Sequence, residues 1–151
     1  MKKIDQIDII ILKELSDNAN ISIPKLAKKT NLNQSFIYNR IDKLVKNDII
    51  KQFTIKVDNS VFGYNVHAII GININTRKTK EVIDNLKKIK ETIGISEVSG
   101  RFDLLVRIAC KNLDQLHKTI VKKLAIIDGV NNTETFIELV HTDLDHKILS
   151  K

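Results

Sequence analysis

The chain has little of what staples, punctuates or anchors a protein. Of 151 residues one is cysteine, Cys110, so no intrachain disulfide can form and a structural zinc site built on cysteines is excluded. There is one proline and no tryptophan, and neither a low-complexity tract nor an internal repeat is visible. No run is long and apolar enough to span a membrane. The opening "MKKIDQIDIIILKEL" begins positive but has acids within its apolar stretch and no small-residue cleavage site, so it does not read as a signal peptide. A cytoplasmic protein with no membrane partner is the expectation. A glycine-rich phosphate loop, a nucleophile elbow and a pair of catalytic carboxylates are all missing, which argues against an enzyme and implies no cofactor. Acids are scarce in one window. Between Lys25 and Lys56 eight Lys or Arg meet only Asp42 and Asp48, a local net charge of +6 in a chain whose total is +7. That clustering favours an anionic partner.

What is present divides in two. Ile4, Ile7, Ile11 and Leu15 recur at helical spacing behind Asp5, a suitable N-cap. Ser22 is placed to cap a second helix over 23–30, with Pro24 tolerated in its first turn and Leu26 and Ala27 turned inward. After "NLN", Asn33 is placed to cap a third helix that runs to about Lys46, with Ile37, Ile41 and Leu44 inward and Asn47 as its left-handed end. Two helices joined by so tight a turn form a helix-turn-helix. "IIKQFTIKVD" then alternates like a strand, with Phe53, Ile55 and Val57 among its apolar members.

From about Phe62 the period changes. Val66, Ala68, Ile70, Ile72 and Ile74 lie on one face of a predicted strand. A helix over 79–93 carries Val82, Leu86, Ile89 and Ile93. Residues 94–110 read as two strands joined at Gly100, residues 112–127 as a helix with an Asn112/Gln115 capping box, and residues 129–141 as a last strand. The fold class is therefore α+β. A three-helix domain over 1–48 is followed by a linking strand and hinge over 49–61 and a ferredoxin-like βαββαβ domain over 62–151. Helices on one side of such a sheet leave the other side bare. The residues predicted there are Ile69, Gly71, Leu105 and Ala109, with Ile137 and Leu139, apolar enough to imply pairing with a second copy.

The order and spacing of "IDQIDIIILKEL", "IPKLAKKTNLNQSFIYNRIDKLVKNDII", "VSGRFDLLV" and "GVNNTETFIEL" resemble the leucine-responsive regulator/AsnC family of transcription regulators, the feast/famine regulators, over essentially the whole chain. The resemblance implies a DNA-binding helix-turn-helix, a C-terminal effector domain, dimers formed through the sheets and their assembly into octamers. The family commonly has Gly at the end of the recognition helix, where this chain has Asn47–Asp48.

A polar helix face is commonly just solvated. Here the preceding turn and the local charge point to double-stranded DNA. Gln34, Ser35, Tyr38 and Asn39 sit at the end of the third helix that reaches base edges in such motifs. Lys43 and Lys46 suit phosphates, as do Lys28 and Lys29 on the second helix. Arg40 falls between the two faces and fits either a structural role or a phosphate contact. "SGRFD" alone is equally well a simple hairpin turn. The resemblance implies instead an effector pocket between subunits for a small molecule, usually an amino acid, with Ser99, Gly100, Arg101 and Asp103 on the turn and Thr133 and Thr135 on the last strand. His141, Asp143, Asp145 and His146 read as a polar tail rather than a metal site. Two other readings stand beside the regulator. One is an enzyme like sirohaem decarboxylase, for which His67, His117, Arg101 and Arg107 would be the carboxylate-handling residues. The other is an architectural DNA-binding protein without effector.

Overall fold

The structure, a computed structural model, describes residues 4–140 and Thr142, and divides at Lys56/Val57 into two units. In the first, α1 (Gln6–Asp17), α2 (Ile23–Thr30) and α3 (Gln34–Lys46) surround Ile11, Leu15, Leu26, Ala27, Ile37 and Leu44. Asp5 caps α1 by accepting the Asp8 N–H, and Asp8 returns the bond to the Asp5 N–H, a capping box built from two aspartates. Asn33 caps α3 through the Ser35 N–H. Ser22 occupies the cap position of α2 but makes no side-chain cap bond.

The end of α3 differs from expectation by one residue. Asn47 keeps a negative φ of −83°, and Asp48 takes the left-handed conformation at φ 57°. The Asp48 N–H donates to the Val45 carbonyl and the Ile49 N–H to the Leu44 carbonyl, a Schellman closure that folds Ile49 back toward Leu44. The predicted linking strand is not formed: residues 51–58 have no ladder partner among the described residues, and Phe53, Ile55 and Val57 are exposed. Alternation marks a face suited to burial, but a strand also needs a neighbour to bond with.

The second unit is a four-stranded antiparallel sheet in the order β2-β3-β1-β4, from β1 (Val66–Ile74), β2 (Thr92–Glu97), β3 (Leu104–Cys110) and β4 (Val130–Ile137). Helices α4 (Thr79–Lys88) and α5 (Leu113–Thr119) cover one face. The core there joins Ala68, Ile70 and Ile72 to Val106 and Ile108, and to Val82, Leu86, Leu116 and Leu124 from the helical layer. Cys110 is fully buried, and burial pushes its thiol above the ordinary range, so it behaves as a small core residue.

Two helices are shorter than predicted. α4 stops at Lys88, and Ile93, expected on its face, is half exposed in β2. α5 gives way at Ile120 to a π-helical turn, Ile120–Leu124. That turn puts the Lys123 ammonium 2.8 Å from both carboxylate oxygens of buried Glu91, while Gln115 donates to the same carboxylate at 3.1 Å. Burial alone would raise the Glu91 pKa, but the hydrogen bonds from Lys123 and Gln115 outweigh it and hold the carboxyl below its usual range. The predicted α5 capping box is half formed. Asn112 accepts the Gln115 N–H, but the Gln115 side chain accepts from Lys111 rather than from the cap residue.

The bare sheet face carries Ile69, Gly71, Leu105 and Ala109 as expected, but not Ile137. Ile137 pairs with Ala68, on the helix side, and Phe136, opposite Ile69, takes its place. Leu139 lies beyond the end of β4 and is exposed.

Candidate nucleic-acid interface and effector turn

On α3 the apolar face is consumed by the core: Ile37 and Leu44 are buried and Ile41 packs against them. The opposite face leaves Gln34, Ser35, Tyr38 and Asn39 exposed, and among the described residues none of these side chains has a hydrogen-bond partner. Tyr38 is 64% exposed, so most of its ring and hydroxyl is open to solvent. Lys43 and Lys28 are exposed as well. Lys46 pairs with Asp42 at 2.8 Å and Lys29 with Glu14 at 2.6 Å, and both ammonium groups remain largely in solvent. Exposed pairs of this kind are weak, so both lysines can be drawn to phosphate.

Arg40 differs from the other cations. Its Nη1 bonds the Asp5 carboxylate and, at 3.2 Å, that of Asp8, and its guanidinium lies 4.9 Å from the centroid of the Phe36 ring. These contacts fit the structural one of the two roles open to it from sequence. The two aspartates are not legible as partners because their meeting with Arg40 is a long-range event, 32 and 35 residues apart, whereas Phe36 stands at i−4 on the same helix, a spacing that could have pointed to it.

The turn between β2 and β3 is more constrained than a plain hairpin. Gly100 has φ 147°, a conformation that favours glycine, and a Cβ there would meet open space, so the backbone angle alone explains the residue. Asp103 accepts the Ile74 N–H through Oδ2 at 2.9 Å, its own N–H donates to the Ile72 carbonyl, and its carbonyl accepts the Val98 N–H. The register between β1 and β4 shifts at Asn73/Ile74, and the Asp103 carboxylate takes up the Ile74 N–H at that bulge. Asn73 donates to the Arg101 carbonyl at 2.8 Å. Phe102 lies over Gly71 so closely that a Cβ on Gly71 would sit 2.5 Å from the ring, and its ring meets Phe136 edge-on at 6.1 Å. Arg101 bonds Glu134 at 2.6 Å and remains 75% exposed.

The expected turn and strand residues are therefore not gathered in one chain. Register pairs Thr133 with Ile72 and Thr135 with Ile70, on the helix side, whereas Glu134 and Phe136 point to the side where Phe102 lies. Ser99, Gly100 and Arg101 are exposed, Asp103 is half-buried, and Phe102, Glu134 and Phe136 are members of this surface that the sequence reading did not name. His141, Asp143, Asp145 and His146 lie outside the described residues. Among the described residues no three His, Cys, Asp or Glu side chains are grouped to hold a metal ion, and no helix is long and apolar enough to cross a membrane.

A family model for the Lrp/AsnC ligand binding domain matches residues 67–143, and a model for a winged helix-turn-helix DNA-binding unit matches residues 4–51. The chain is 34% identical over 136 residues to the HTH-type transcriptional regulator FL11 of Pyrococcus horikoshii, spanning 90% of this chain and 89% of that protein. Its structure is similar to that of E. coli AsnC, with a TM-score of 0.88 and 26% identity over 94% of this chain and 96% of that one. A Neisseria meningitidis transcriptional regulator in complex with L-Met gives a TM-score of 0.90 at 18% identity, covering 95% of each chain, a likeness of fold.

Proposed function

Because the chain belongs to the Lrp/AsnC family of DNA-binding transcription regulators, we propose that it reads specific double-stranded DNA through α3 and is modulated by a small metabolite, an amino acid or a relative of one, held between copies of its C-terminal unit. The observation that carries the DNA reading is the division of α3 into a consumed apolar face and an exposed polar face on which Gln34, Ser35, Tyr38 and Asn39 have no side-chain hydrogen-bond partner among the described residues, set in a window of +6. In this reading Gln34, Ser35, Tyr38 and Asn39 meet base edges, while Lys28, Lys29, Lys43 and Lys46 hold phosphates. The family is one of regulators rather than enzymes, which removes the sirohaem decarboxylase reading. Selection of genomic fragments by the purified protein tests the proposal. Recovery of random fragments only would leave it without support.

The effector part rests on the ligand binding domain that the family model matches and on the turn. Exposed Gly100 and Ser99 offer donors for a carboxylate, and Arg101 can release Glu134 to an anion. Thr133 and Thr135 lie on the other side of the sheet, so a single ligand touching both sets draws them from two chains. Two surfaces favour a homo-oligomer, a dimer or an octamer of such dimers: the bare sheet face with Ile69, Leu105 and Phe136, and the exposed apolar side chains of Phe53, Ile55 and Val57. A cytoplasmic location follows from the same reading. A thermal-shift screen begins with amino acids, since the Neisseria regulator's structure is a complex with one. No shift with any of them would favour an architectural DNA-binding protein without effector.

A further inference from the structure

Three helices packed through apolar side chains are held together by a force with little directionality. Ile11, Ile37 and Leu44 turn one face of α3 toward α1, but contacts of that kind add no directional bond that pins its exact rotation. A charged fork does, because its hydrogen bonds have direction as well as strength. Arg40 is the one side chain on α3 that supplies this. Its side chain is 23% exposed, it bonds Asp5 and Asp8, and Phe36, one turn earlier on the same helix, lies against its guanidinium. The arrangement is closed at the other end too. Asp5 and Asp8 are locked to each other's backbone as the cap of α1, and Asp8 is 4% exposed. Among the described residues Arg40 is the only cation within ion-pair distance of Asp8, and a buried carboxylate stripped of its cation is costly.

We propose that Arg40 is a positioning residue: through Asp5 and Asp8 it fixes how α3 is carried on α1, and so which base edges Gln34, Ser35, Tyr38 and Asn39 can reach, without itself touching DNA. The proposal rests on the reading of α3 as the base-reading helix. It separates two kinds of basic residue in the same window. Lys28, Lys43 and Lys46 supply charge that any duplex can use, whereas Arg40 supplies geometry that only the right duplex rewards.

The test uses the full-length protein. Wild type first selects duplexes from a random pool, and affinities are then measured for the selected duplex and a scrambled one over a series of salt concentrations. Arg40→Gln and Asp8→Asn are each expected to lower the ratio of selected to scrambled affinity by about tenfold or more, the size of one lost base contact, with the salt slope unchanged. The double variant is expected to lose less than the sum of the two single losses, because Arg40→Gln already removes the bond to Asp8 that Asp8→Asn weakens. A phosphate contact predicts another pattern. Arg40→Gln would then weaken both duplexes alike and flatten the salt slope by about 0.9, while Asp8→Asn, which removes a negative charge, would bind both more tightly. That pattern, or an unchanged ratio in both variants, overturns the positioning role and leaves α3 as the reader. A wild type that selects no duplex overturns both. Circular dichroism checks folding, and if Asp8→Asn does not fold, Asp5→Asn, at the half-exposed end of the tie, carries the same expectation.

Discussion

The face of α3 and the turn between β2 and β3 are equally polar in sequence but differ in the structure. On α3 the Gln34, Ser35, Tyr38 and Asn39 side chains are exposed and have no hydrogen-bond partner among the described residues. On the turn the groups that looked like ligand contacts are largely engaged: Asp103 with the Ile74 N–H, the Arg101 side chain with Glu134, and the Arg101 carbonyl with Asn73. Polar residues left idle by the fold are available to a partner. Polar residues used by the fold first shape the scaffold. The contrast implies that substitutions in the two places fail in different ways.

The largest effect is expected at Gly71. A methyl group there must displace the Phe102 ring, so Gly71→Ala should cost about 1–3 kcal/mol, the usual range for overpacking, read as a lower melting temperature. An unchanged temperature would mean that the ring moves freely and that the turn is not anchored on the sheet. Next comes Asp103→Ala, which strands the Ile74 N–H at the bulge and should cost about 1–3 kcal/mol. This variant is a poor probe of ligand binding for the same reason. Arg101→Ala, which removes an exposed pair with Glu134 and a guanidinium contact on the Phe102 ring, is the better one, and it should blunt any thermal shift given by an effector while leaving the fold intact. By comparison, Ser35→Ala and Asn39→Ala should change stability by no more than about 0.5 kcal/mol, as surface substitutions do.

Much of this was legible in the chain, and where it was not the reason is physical. The three-helix unit and the βαββαβ order were readable because burial enforces periods of 3.6 and 2. The face of β4 was not. "VNNTETFI" alternates polar with polar, so nothing in it marks the inner side, and only pairing with β1 shows that Thr133 and Thr135 turn toward the helices. Ile93 was misplaced because it continues the helical spacing of Leu86 and Ile89, while the chain leaves the helix at Ile89 with an extended ψ of 116°. The stretch 50–57 carries a strand's pattern, but among the described residues 51–57 join no strand ladder. Arg40 was correctly placed between two faces, yet its partners lie on α1, where no local pattern points to them.

Acid should separate the two units by their carboxylates. Asp5 is held below its ordinary value by the Asp8 N–H and by Arg40. Its contribution is present above the ordinary value of 3.8 and is lost as pH falls through the lower folded value. Asp5→Asn should remove that part of the acid sensitivity. Glu91 behaves in the same sense while Lys123 covers it, but in Lys123→Ala burial should dominate and push the Glu91 carboxyl up, which its NMR titration would show. The smallest effect is expected from Lys46→Ala, with a slope of log affinity against log salt shallower by about 0.9 and no change of sequence preference.

The most direct test of the central claim is the base preference of Asn39→Ala, measured by duplex selection beside the wild type. The account predicts that wild type recovers a defined site, and that the variant recovers the same site relaxed at particular positions, each weakened by roughly 1–3 kcal/mol, with the salt slope retained. A wild type without preference, or a variant that selects the same site with undiminished affinity at every position, would contradict it.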